Sequence, residues 1–410
     1  MAGAQHLKLQ FLVRGSNKAW GAMTTIKKKL LFVVNQPAFF LTHRLPLAVA
    51  ALNAGYEVHV ATQSGPGVEQ IRAAGLIHHL IPLQRSARNP FADLWLFCML
   101  IRLFRQLSPS IVHLVTIKPV IYGGLAARIT GVRGVVAAIS GIGYALQRNG
   151  TLSNLLFGLV RLMYRLALGS LNKRVIFQNT RDLELISEFA NLKADETVLI
   201  PGSGVDLSKY TYLPEPTGIV VVTMASRLLK DKGVFEFVAA AKIMKDRGVE
   251  AKFRLAGVPD PDNLTSCTVA DLEQWRTDRY VELLGYRSDI PELFRGSHIV
   301  VLPSWYEGLP KVLIEAAACG RPVVTTDIPG CRDAIQPNVT GLLVPTKDPM
   351  SLANAIQNLA TNAKVRQTMG SAGRIWAEKQ FDIQRVVAQH LEIYDVLSHL
   401  PNAEALNTRQ

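Results

Sequence analysis

This chain of 410 residues has no long hydrophobic run. The longest stretches without a charged residue, such as 30–43 and 134–147, contain about fourteen residues, whereas a membrane-spanning helix needs about twenty. The first residues are charged and mixed, without the apolar core of a signal peptide. We therefore expect a cytoplasmic chain with no integral membrane helix. The segment "MTTIKKKLLFVV" from Met23 has the form of a natural start, so residues 1–23 are predicted to be a dispensable extension.

Cysteines are also few, and they form no CxxC pair and no cluster with histidine. This pattern argues against a zinc site and predicts reduced thiols. No Ser/His/Asp signature is present, and no strand is followed by the dinucleotide motif G-x-G-x-x-G. The segment Asp260-Pro261-Asp262 matches the DxD pattern that holds a metal in some nucleotide-sugar enzymes, but its Pro/Asp/Asn loop favours solvated turn residues. We expect neither a metal nor a cofactor. The cysteines are Cys98, Cys267, Cys319 and Cys331.

Acidic residues are scarce in the first half. Residues 1–200 contain 22 Lys and Arg against 8 Asp and Glu, and residues 201–410 contain 23 against 24, so the net charge of +13 belongs to the first half. Many of these arginines are interleaved with the apolar helices predicted over 91–107 and 152–168. Each basic side chain near an anionic membrane can contribute about 1 kcal/mol, and an apolar helix face adds to that.

This charge distribution predicts that the first domain attaches peripherally to the inner face of the cell membrane. The alternative is that these helices pack on a sheet and that their arginines are solvated. A nucleic-acid partner is not expected, because no recognition motif and no regular aromatic interleaving accompany the charge.

Strands and helices alternate twice along the chain. The first series includes the strands "KLLFVVN", "EVHVAT" and "IVHLVT" and one helix, "THRLPLAVAALNAG", ending at Gly55; the second follows the linker 213–218. This pattern predicts an α/β chain with two Rossmann-like parallel-sheet domains that face each other across a cleft. The predicted domains are 24–212 and 213–380, and a helix within 381–410 is expected to return toward the first. Ligands of such sheets bind beyond the carboxyl ends of the strands.

The stretch "SWYEGLPKVLIEAAACGRPVV" joins two predicted strands of the second domain. Gly308 and Pro310 predict a loop that leads into a helix over about 310–319, with Gly320 as its C-terminal stop. Glu307 then lies in the loop, and Glu315 leans back toward the same helix N-terminus. Free backbone N–H groups and partial positive charge make that end suitable for an anionic or hydroxyl-rich ligand. The alternative is an ordinary surface ion pair between Lys311 and Glu315.

Other loops at the carboxyl ends of the second series carry complementary chemistry. Arg227 ends the first strand, and Lys232 and Gly233 follow at a helix start. A guanidinium and an ammonium beside a glycine suit a diphosphate, although a solvated basic loop is the alternative. Gly257 and Tyr286 stand at the ends of two further strands, where a flat base could lie against the backbone.

With Arg227, Lys232, Glu307 and Glu315 in this order, the chain resembles family 4 of the retaining glycosyltransferases, which have the GT-B fold. The similarity extends from about Lys28 to about Leu397 and depends most on the E-x7-E element "EGLPKVLIE", supported by "SRLLKDKG", "PGSGVD" and "GCRDAI". The resemblance implies that Arg227 and Lys232 hold the donor diphosphate, that Glu315 binds the ribose hydroxyls and that Glu307 lies by the donor sugar. It also implies that the backbone around Gly308, Leu309, Pro310 and Lys311 faces the sugar and phosphate.

In the first domain, "FFLTHRLPLA", "VHLVTIKPVIYGGLAAR" and "SGIGYAL" resemble the branch that extends bacterial lipid-linked glycans. The loop "NQPAFFLTHR" lacks the paired glycines that many members have near the diphosphate. Many members also carry a second histidine two residues after the position of His113, where Val115 stands here, so a core position for His113 is the alternative. The resemblance implies these acceptor-side positions: His43, His113, Lys118, Gly141 and Tyr144.

The function predicted from these features is sugar transfer from a nucleoside diphosphate donor, UDP-linked by expectation, to a polyprenyl-diphosphate-linked saccharide. The resemblance implies retention of configuration and no bound metal. Two other functions stay open. A UDP-sugar 2-epimerase shares the paired-domain architecture and needs no lipid acceptor, and a non-catalytic nucleotide- or polyanion-binding protein would also explain the basic half.

Overall fold

The computed structural model describes residues 27–83, 90–141, 151–170, 172–261 and 263–399, with side chains omitted for 151–157. Two parallel sheets organise these residues, one of seven strands and one of six. The expected pair of Rossmann-like α/β domains is confirmed. The predicted extension 1–23 and Tyr144 lie outside the described residues.

The first sheet has the strand order β3-β2-β1-β4-β5-β6-β7, and every neighbouring pair is parallel. Its central strands are continuous runs of branched and other apolar residues, because helices cover both faces. The strands are β1 (Lys29–Val33), β2 (Glu57–Thr62), β3 (Ile77–Leu80), β4 (Ile111–Val115), β5 (Gly134–Ile139), β6 (Lys173–Phe177) and β7 (Thr197–Leu199).

The second sheet has the order β10-β9-β8-β11-β12-β13 and is also parallel throughout. In both sheets the strand order reverses beside the first strand of the series, which opens a crevice at the carboxyl ends. The strands are β8 (Val220–Ala225), β9 (Ala251–Ala256), β10 (Glu282–Gly285), β11 (Ile299–Leu302), β12 (Val323–Thr326) and β13 (Gly341–Val344).

The helices of the first domain differ from the prediction at one place. The expected helix before Gly55 is two helices, because Pro46 has no N–H and fits only the first turn of a new helix. Arg44 joins them with φ −130° and ψ −15°. The helices are α1 (Pro37–His43), α2 (Leu45–Asn53), α3 (Val68–Ala73), α4 (Pro90–Leu107), α5 (Gly124–Thr130, after a π-helical turn Pro119–Gly123), α6 (Thr151–Ala167) and α7 (Thr180–Ala190).

The helices of the second half include the one predicted after Pro310. It begins one residue later, at Lys311, with Pro310 as its N-cap, and Gly320 follows its end with φ 70°. The helices are α8 (Val234–Asp246), α9 (Val269–Asp278), α10 (Ile290–Arg295), α11 (Lys311–Ala318), α12 (Pro329–Ala334), α13 (Pro349–Thr361), α14 (Ala363–Gln380) and α15 (Ile383–His399). Within the described residues, no helix combines the length and apolar character needed to cross a membrane.

The last helix, α15, packs on the first sheet although it follows the second domain in sequence. The chain crosses over where Val205 pairs with Asp382, with Val205 N–H donating to Phe381 O at 2.7 Å. Tyr394 and Leu397 are then fully buried with apolar side chains of β1, β4 and β5. One face of the first core is therefore closed by the C-terminal helix.

His113 of β4 lies in this core beneath α15, with no exposed surface. Its Nδ1 shares a 2.5 Å hydrogen bond with the Tyr394 hydroxyl, and its ring stacks on Phe32 at 4.9 Å between centroids. Burial lowers the pKa of His113 well below its ordinary value, with smaller effects of Arg44 and His390. The acceptor-side position suggested for His113 is thus corrected to a core position.

We expect the Tyr394→Phe variant to lose about 1–3 kcal/mol of unfolding free energy, because the buried His113 Nδ1 loses its partner. Urea unfolding would measure the loss. The Tyr212→Phe variant is the matched control, since the Tyr212 hydroxyl contacts Ser371 on the exposed surface; it should change stability by less than about 0.5 kcal/mol. Equal effects of the two variants would contradict a core role for the His113–Tyr394 bond.

Candidate functional site

The candidate site lies between the two sheets, at the carboxyl ends of their strands. The loop after β11, residues 304–310, is called the donor loop here, after the role that the sequence resemblance implies for it. Its Trp305 N–H donates to Asp231 O at 2.8 Å, and the Ser304 hydroxyl donates to the same oxygen at 3.0 Å. The donor loop is therefore fastened to the turn after β8, which carries Lys232.

Lys232 and Glu307 meet directly in this arrangement. Lys232 Nζ donates to Glu307 Oε1 at 2.6 Å, and both side chains are largely buried. The left-handed Gly233, with φ 75°, starts α8 immediately afterwards. A Cβ there would lie 2.0 Å from Pro303 O, so the β8 and β11 loops approach closely only with glycine. The structure thus brings two of the predicted catalytic side chains together.

Arg227 has a different partner. Its Nη1 donates to Asp260 Oδ2 at 2.5 Å, and the arginine side chain is 41% exposed. Asp260 was expected to be a solvated turn residue, but its carboxylate pairs with Arg227 because both follow neighbouring strands, β8 and β9. Asp262 lies outside the described residues. Across the described ranges, no three His, Cys, Asp or Glu side chains are grouped as metal ligands would be.

Glu315 is buried within α11, with only 8% of its surface exposed. Its Oε1 accepts a 2.7 Å hydrogen bond from the Tyr210 hydroxyl, and Lys311 Nζ lies 3.5 Å away. Burial raises the pKa of Glu315, against the opposing effects of Lys311 and Tyr210. The alternative ion pair between Lys311 and Glu315 is therefore present, but it is not an ordinary surface pair, because Glu315 is buried and also accepts from Tyr210. Tyr210 follows the "PGSGVD" segment by only a few residues, but nothing in its spacing pointed to this contact.

The N-terminus of α11 faces the first domain. Lys311 Nζ donates to Thr42 O of α1 at 2.9 Å, and Leu309 is buried against Gly202 of the first half. Pro310 is extended at the N-cap, so the first N–H groups of α11 have no partner within the helix. The backbone positions predicted to face a ligand thus lie at the entrance between the domains.

Gly257 and Tyr286 stand at the ends of β9 and β10. Gly257 has φ 142°, and a Cβ there would lie 1.8 Å from Ser226 O, so the strand ends need glycine to pack. Its N–H donates to Gly285 O at 2.7 Å. Tyr286 is 76% exposed beside this contact. This edge of the sheet therefore offers the exposed Tyr286 ring and the Gly257 backbone as surfaces against which a flat base could lie.

On the other side of the cleft, His43 ends α1. Its Nδ1 shares a 3.0 Å hydrogen bond with Ser203 Oγ, a partner that sequence reasoning missed. Burial, with smaller effects of nearby Lys311 and Arg44, lowers the pKa of His43 to about 3. The imidazole is therefore neutral at physiological pH, which suits hydrogen bonding to hydroxyl groups rather than charge pairing.

Two more predicted acceptor-side residues are described. Lys118, at the π-helical turn, donates to Asp93 Oδ1 of α4 at 2.8 Å, and the Tyr122 hydroxyl donates to the other Asp93 oxygen at 3.1 Å. Gly141 follows β5 with φ 109° and lies against the donor loop: a Cβ there would be 3.3 Å from Gly308 Cα. Gly141 therefore contacts the site directly, whereas Lys118 belongs to a polar cluster with α4.

We expect the high pKa of Glu315 to appear as a pH dependence of stability. A carboxyl whose folded-state pKa is raised binds protons more tightly in the folded state, so its contribution is present below pH 4.5 and is lost as pH rises through the folded-state pKa. The Glu315→Gln variant lacks this loss, so its stability relative to wild type should increase from acidic toward neutral pH. Urea unfolding at a series of pH values measures the difference.

The Glu378→Gln variant provides the control for that experiment, because Glu378 forms an exposed ion pair with Arg374 at 2.6 Å. It should show no comparable gain with rising pH. A pH-independent difference between Glu315→Gln and wild type would contradict the raised pKa.

The two halves of the chain match two family profiles. Residues 219–362 match the family described as "Glycosyl transferases group 1", and residues 29–179 match "Glycosyl transferase 4-like". The first match covers the strands and loops that carry Arg227, Lys232, Glu307 and Glu315. The second covers most of the first sheet.

Curated relatives match most of the chain. An N,N'-diacetylbacillosaminyl-diphospho-undecaprenol alpha-1,3-N-acetylgalactosaminyltransferase of Campylobacter jejuni is 29% identical over 377 residues, which cover 89% of this chain and 97% of that protein. A UDP-Gal:alpha-D-GlcNAc-diphosphoundecaprenol alpha-1,3-galactosyltransferase of Escherichia coli is 26% identical over 72% of this chain and 77% of its own length.

Solved structures share the two-domain arrangement, the GT-B fold. Sucrose-phosphate synthase from Thermosynechococcus elongatus superposes with a TM-score of 0.74 at 20% identity and covers 90% of this chain and 99% of its own. HepE from Anabaena, crystallised in complex with UDP, gives a TM-score of 0.72 at 18% identity, with 90% and 100% covered.

Proposed function

Since this chain belongs to the group 1, family 4 glycosyltransferases, we propose that its donor is a UDP-sugar. The sugar is transferred to a polyprenyl-diphosphate-linked saccharide. The observation that carries the proposal is the meeting of Lys232, Glu307 and the α11 N-terminus at the carboxyl ends of the second sheet. The relatives that act on undecaprenyl-diphosphate-linked sugars by name support the acceptor, and the UDP complex of a structural neighbour supports the nucleotide.

In this proposal the donor lies along the second domain. Glu315 accepts hydrogen bonds from the ribose hydroxyls, and Tyr210 holds its carboxylate in place at 2.7 Å. Arg227 and Lys232 pair with the diphosphate, which requires Arg227 to exchange Asp260 for phosphate oxygens. Tyr286 and Gly257 frame the base.

The reaction breaks the bond between the anomeric carbon and the diphosphate oxygen, which keeps the electron pair. Negative charge then develops on the diphosphate, where Arg227, Lys232 and the α11 N-terminus stabilise it. Positive charge develops on the sugar, near Glu307. The acceptor hydroxyl attacks from the same face, so configuration is retained, and its proton passes to the departing phosphate. Cationic side chains meet the charge that a metal would otherwise neutralise, so we propose a metal-independent enzyme.

The acceptor approaches from the first domain. His43 and Gly141 lie next to the α11 N-terminus and the donor loop, and Lys118 stands farther along the same strand ends. A neutral His43 can hydrogen-bond an acceptor hydroxyl. Lys118, held by Asp93, offers a cation for the acceptor diphosphate.

We expect the Arg227→Ala variant to lose at least about a hundredfold in turnover of a UDP-sugar onto a polyprenyl-diphosphate saccharide, on the scale of one lost transition-state contact. Radiolabelled or mass-spectrometric product assays would measure turnover. The Arg247→Ala variant is the matched control, because Arg247 pairs with Gln357 on the exposed surface of α8 and α13. Near-normal turnover in Arg227→Ala would contradict the donor site.

The same turnover assay, together with a UDP-binding measurement, distinguishes sugar transfer from the two other functions considered for the chain. Conversion of the UDP-sugar without an acceptor would favour a 2-epimerase. Tight UDP binding with no product on any acceptor would favour a non-catalytic binding protein.

We also propose that the first domain docks on an anionic membrane, at the cytoplasmic face, through one helical surface. Helices α4, α5 and α6 lie side by side on one face of the first sheet. Large apolar side chains are exposed along them, with Leu94 and Trp95 each 59% exposed. Exposed arginines flank these side chains, and Asp93 is the one acidic residue in the three helix sequences. The exposed large apolar residues are Phe91, Leu94, Trp95, Ile129, Leu159, Leu162 and Leu166.

We expect wild type to sediment with vesicles that contain phosphatidylglycerol at low salt and to remain free with phosphatidylcholine vesicles. Replacing both Arg102 and Arg105 with serine should weaken binding about tenfold or more, since each basic residue contributes about 1 kcal/mol. Arg247→Ser serves as the control outside the surface. Equal binding to both vesicle types would contradict the docking proposal.

A further inference from the structure

Asn179 of the first domain reaches across the cleft to the donor loop. It follows β6 and is the N-cap of α7, where its Oδ1 accepts from Asp182 N–H at 2.8 Å. Its Nδ2 donates both to Asp182 Oδ2 at 2.9 Å and to Gly308 O at 3.0 Å. The side chain is only 2% exposed. One buried amide thus links the first domain to the residue that follows Glu307.

The chemistry of these contacts requires an amide. Two acceptor oxygens face the amide Nδ2, and one backbone N–H faces Oδ1. Both polar atoms of the Asn179 side chain therefore have partners of the complementary kind. A carboxylate at this position would still cap α7 but would place an oxygen against Gly308 O. A serine would also cap α7 but would be too short to reach Gly308. The capping role and the reach across the cleft can therefore be separated by substitution.

The Gly308 backbone is confined on two other sides. A Cβ on Gly308 would lie 2.5 Å from Ser140 O of the first domain. A Cβ on Gly330 of α12 would lie 2.3 Å from Gly308 O and 2.5 Å from Glu307 O. The donor loop therefore passes between two backbone segments with no room for side chains, and its position depends on the first domain as well as on the second.

The peptide plane transmits this constraint along the loop. Because a trans peptide is planar, a fixed Gly308 carbonyl also fixes the direction of the Leu309 N–H, which points the opposite way. The carbonyl of Glu307 rests against Gly330 in the same way. A second contact at the same helix end, Thr180 N–H to Asp333 Oδ2 at 3.4 Å, holds α12 to α7.

We propose that Asn179 is a positioning residue for transfer: it holds the Glu307–Leu309 backbone in its reactive orientation when the two domains are closed. The inference rests on the proposed function of the donor loop. Asn179 is buried, and the nucleotide contacts proposed above belong to the second domain. Its loss should therefore lower kcat and leave UDP affinity nearly unchanged.

Two variants test the proposal. Asn179→Ser should lower kcat about fivefold, the effect of losing one hydrogen bond, with the Kd for UDP within about twofold of wild type. Asn179→Asp should lose at least about tenfold in kcat at pH 8, because its carboxylate faces Gly308 O and Asp182 Oδ2, and should recover in part as pH falls, because a protonated carboxyl donates one hydrogen bond to these two acceptors. A capping role alone would not produce that pH profile. Hydrogen exchange of residues 304–312 should be faster than in wild type in both variants at pH 8.

Asn191→Ser at the other end of α7 is the matched control, because Asn191 caps the helix C-terminus away from the cleft. It should lower the Tm without changing kcat. Wild-type kcat and wild-type loop exchange in the Asn179 variants would overturn the proposal. A fall in kcat that also appears in Asn191→Ser, at the same loss of Tm, would overturn it as well. No transfer by wild type would instead reject the proposed function, while loop exchange in the variants would still decide whether Asn179 holds Gly308.

Discussion

The close approach of backbone to backbone at Gly308 is the contact on which the site depends. Ser140 lies on one side of it and Gly330 on the other, with distances that leave no space for a Cβ. Such contacts are specific because they have no side chain that could repack. They make the relative position of the two sheets part of the geometry of Glu307, so the site is a property of the closed pair of domains.

The electrostatic pattern of the cleft is one of paired charges. The charged groups at and beside the donor loop are paired: Lys232 with Glu307, Arg227 with Asp260, and Lys311 with both Thr42 O and Glu315 of its own helix. Under the proposed function, a diphosphate that enters would exchange these partners for its own oxygens. The protein then does not begin from an unpaired buried cation, which would be costly, and the cationic groups are already oriented toward the carboxyl ends of the strands.

The sequence predicted the elements that repeat regularly and the residues that belong to short local patterns. Continuous apolar runs predicted the parallel strands. Gly308 and Pro310 predicted that Glu307 lies in a loop and Glu315 in the helix that follows it. The missed partners come from distant segments. Tyr210 packs in the second core and meets Glu315 from a segment about 100 residues earlier in the chain, and Asn179 meets Gly308 across the cleft. The apolar neighbours of His113 in its strand are compatible with a position in the core or at the acceptor side. Only the position of α15, whose Tyr394 bonds to the imidazole, showed that His113 is covered.

The placement of α15 has a consequence for the order in which the chain acquires its structure during synthesis. About 180 residues separate Leu199, the last residue of the first sheet, from Ile383, the first residue of α15. The sheet therefore leaves the ribosome well before the helix that covers one of its faces. Until then the apolar side chains of β4 and β5 that α15 covers, such as Ile111 and Val136, face solvent or a chaperone. Although the first domain is encoded as one continuous segment, it completes its core only after the second domain has been made.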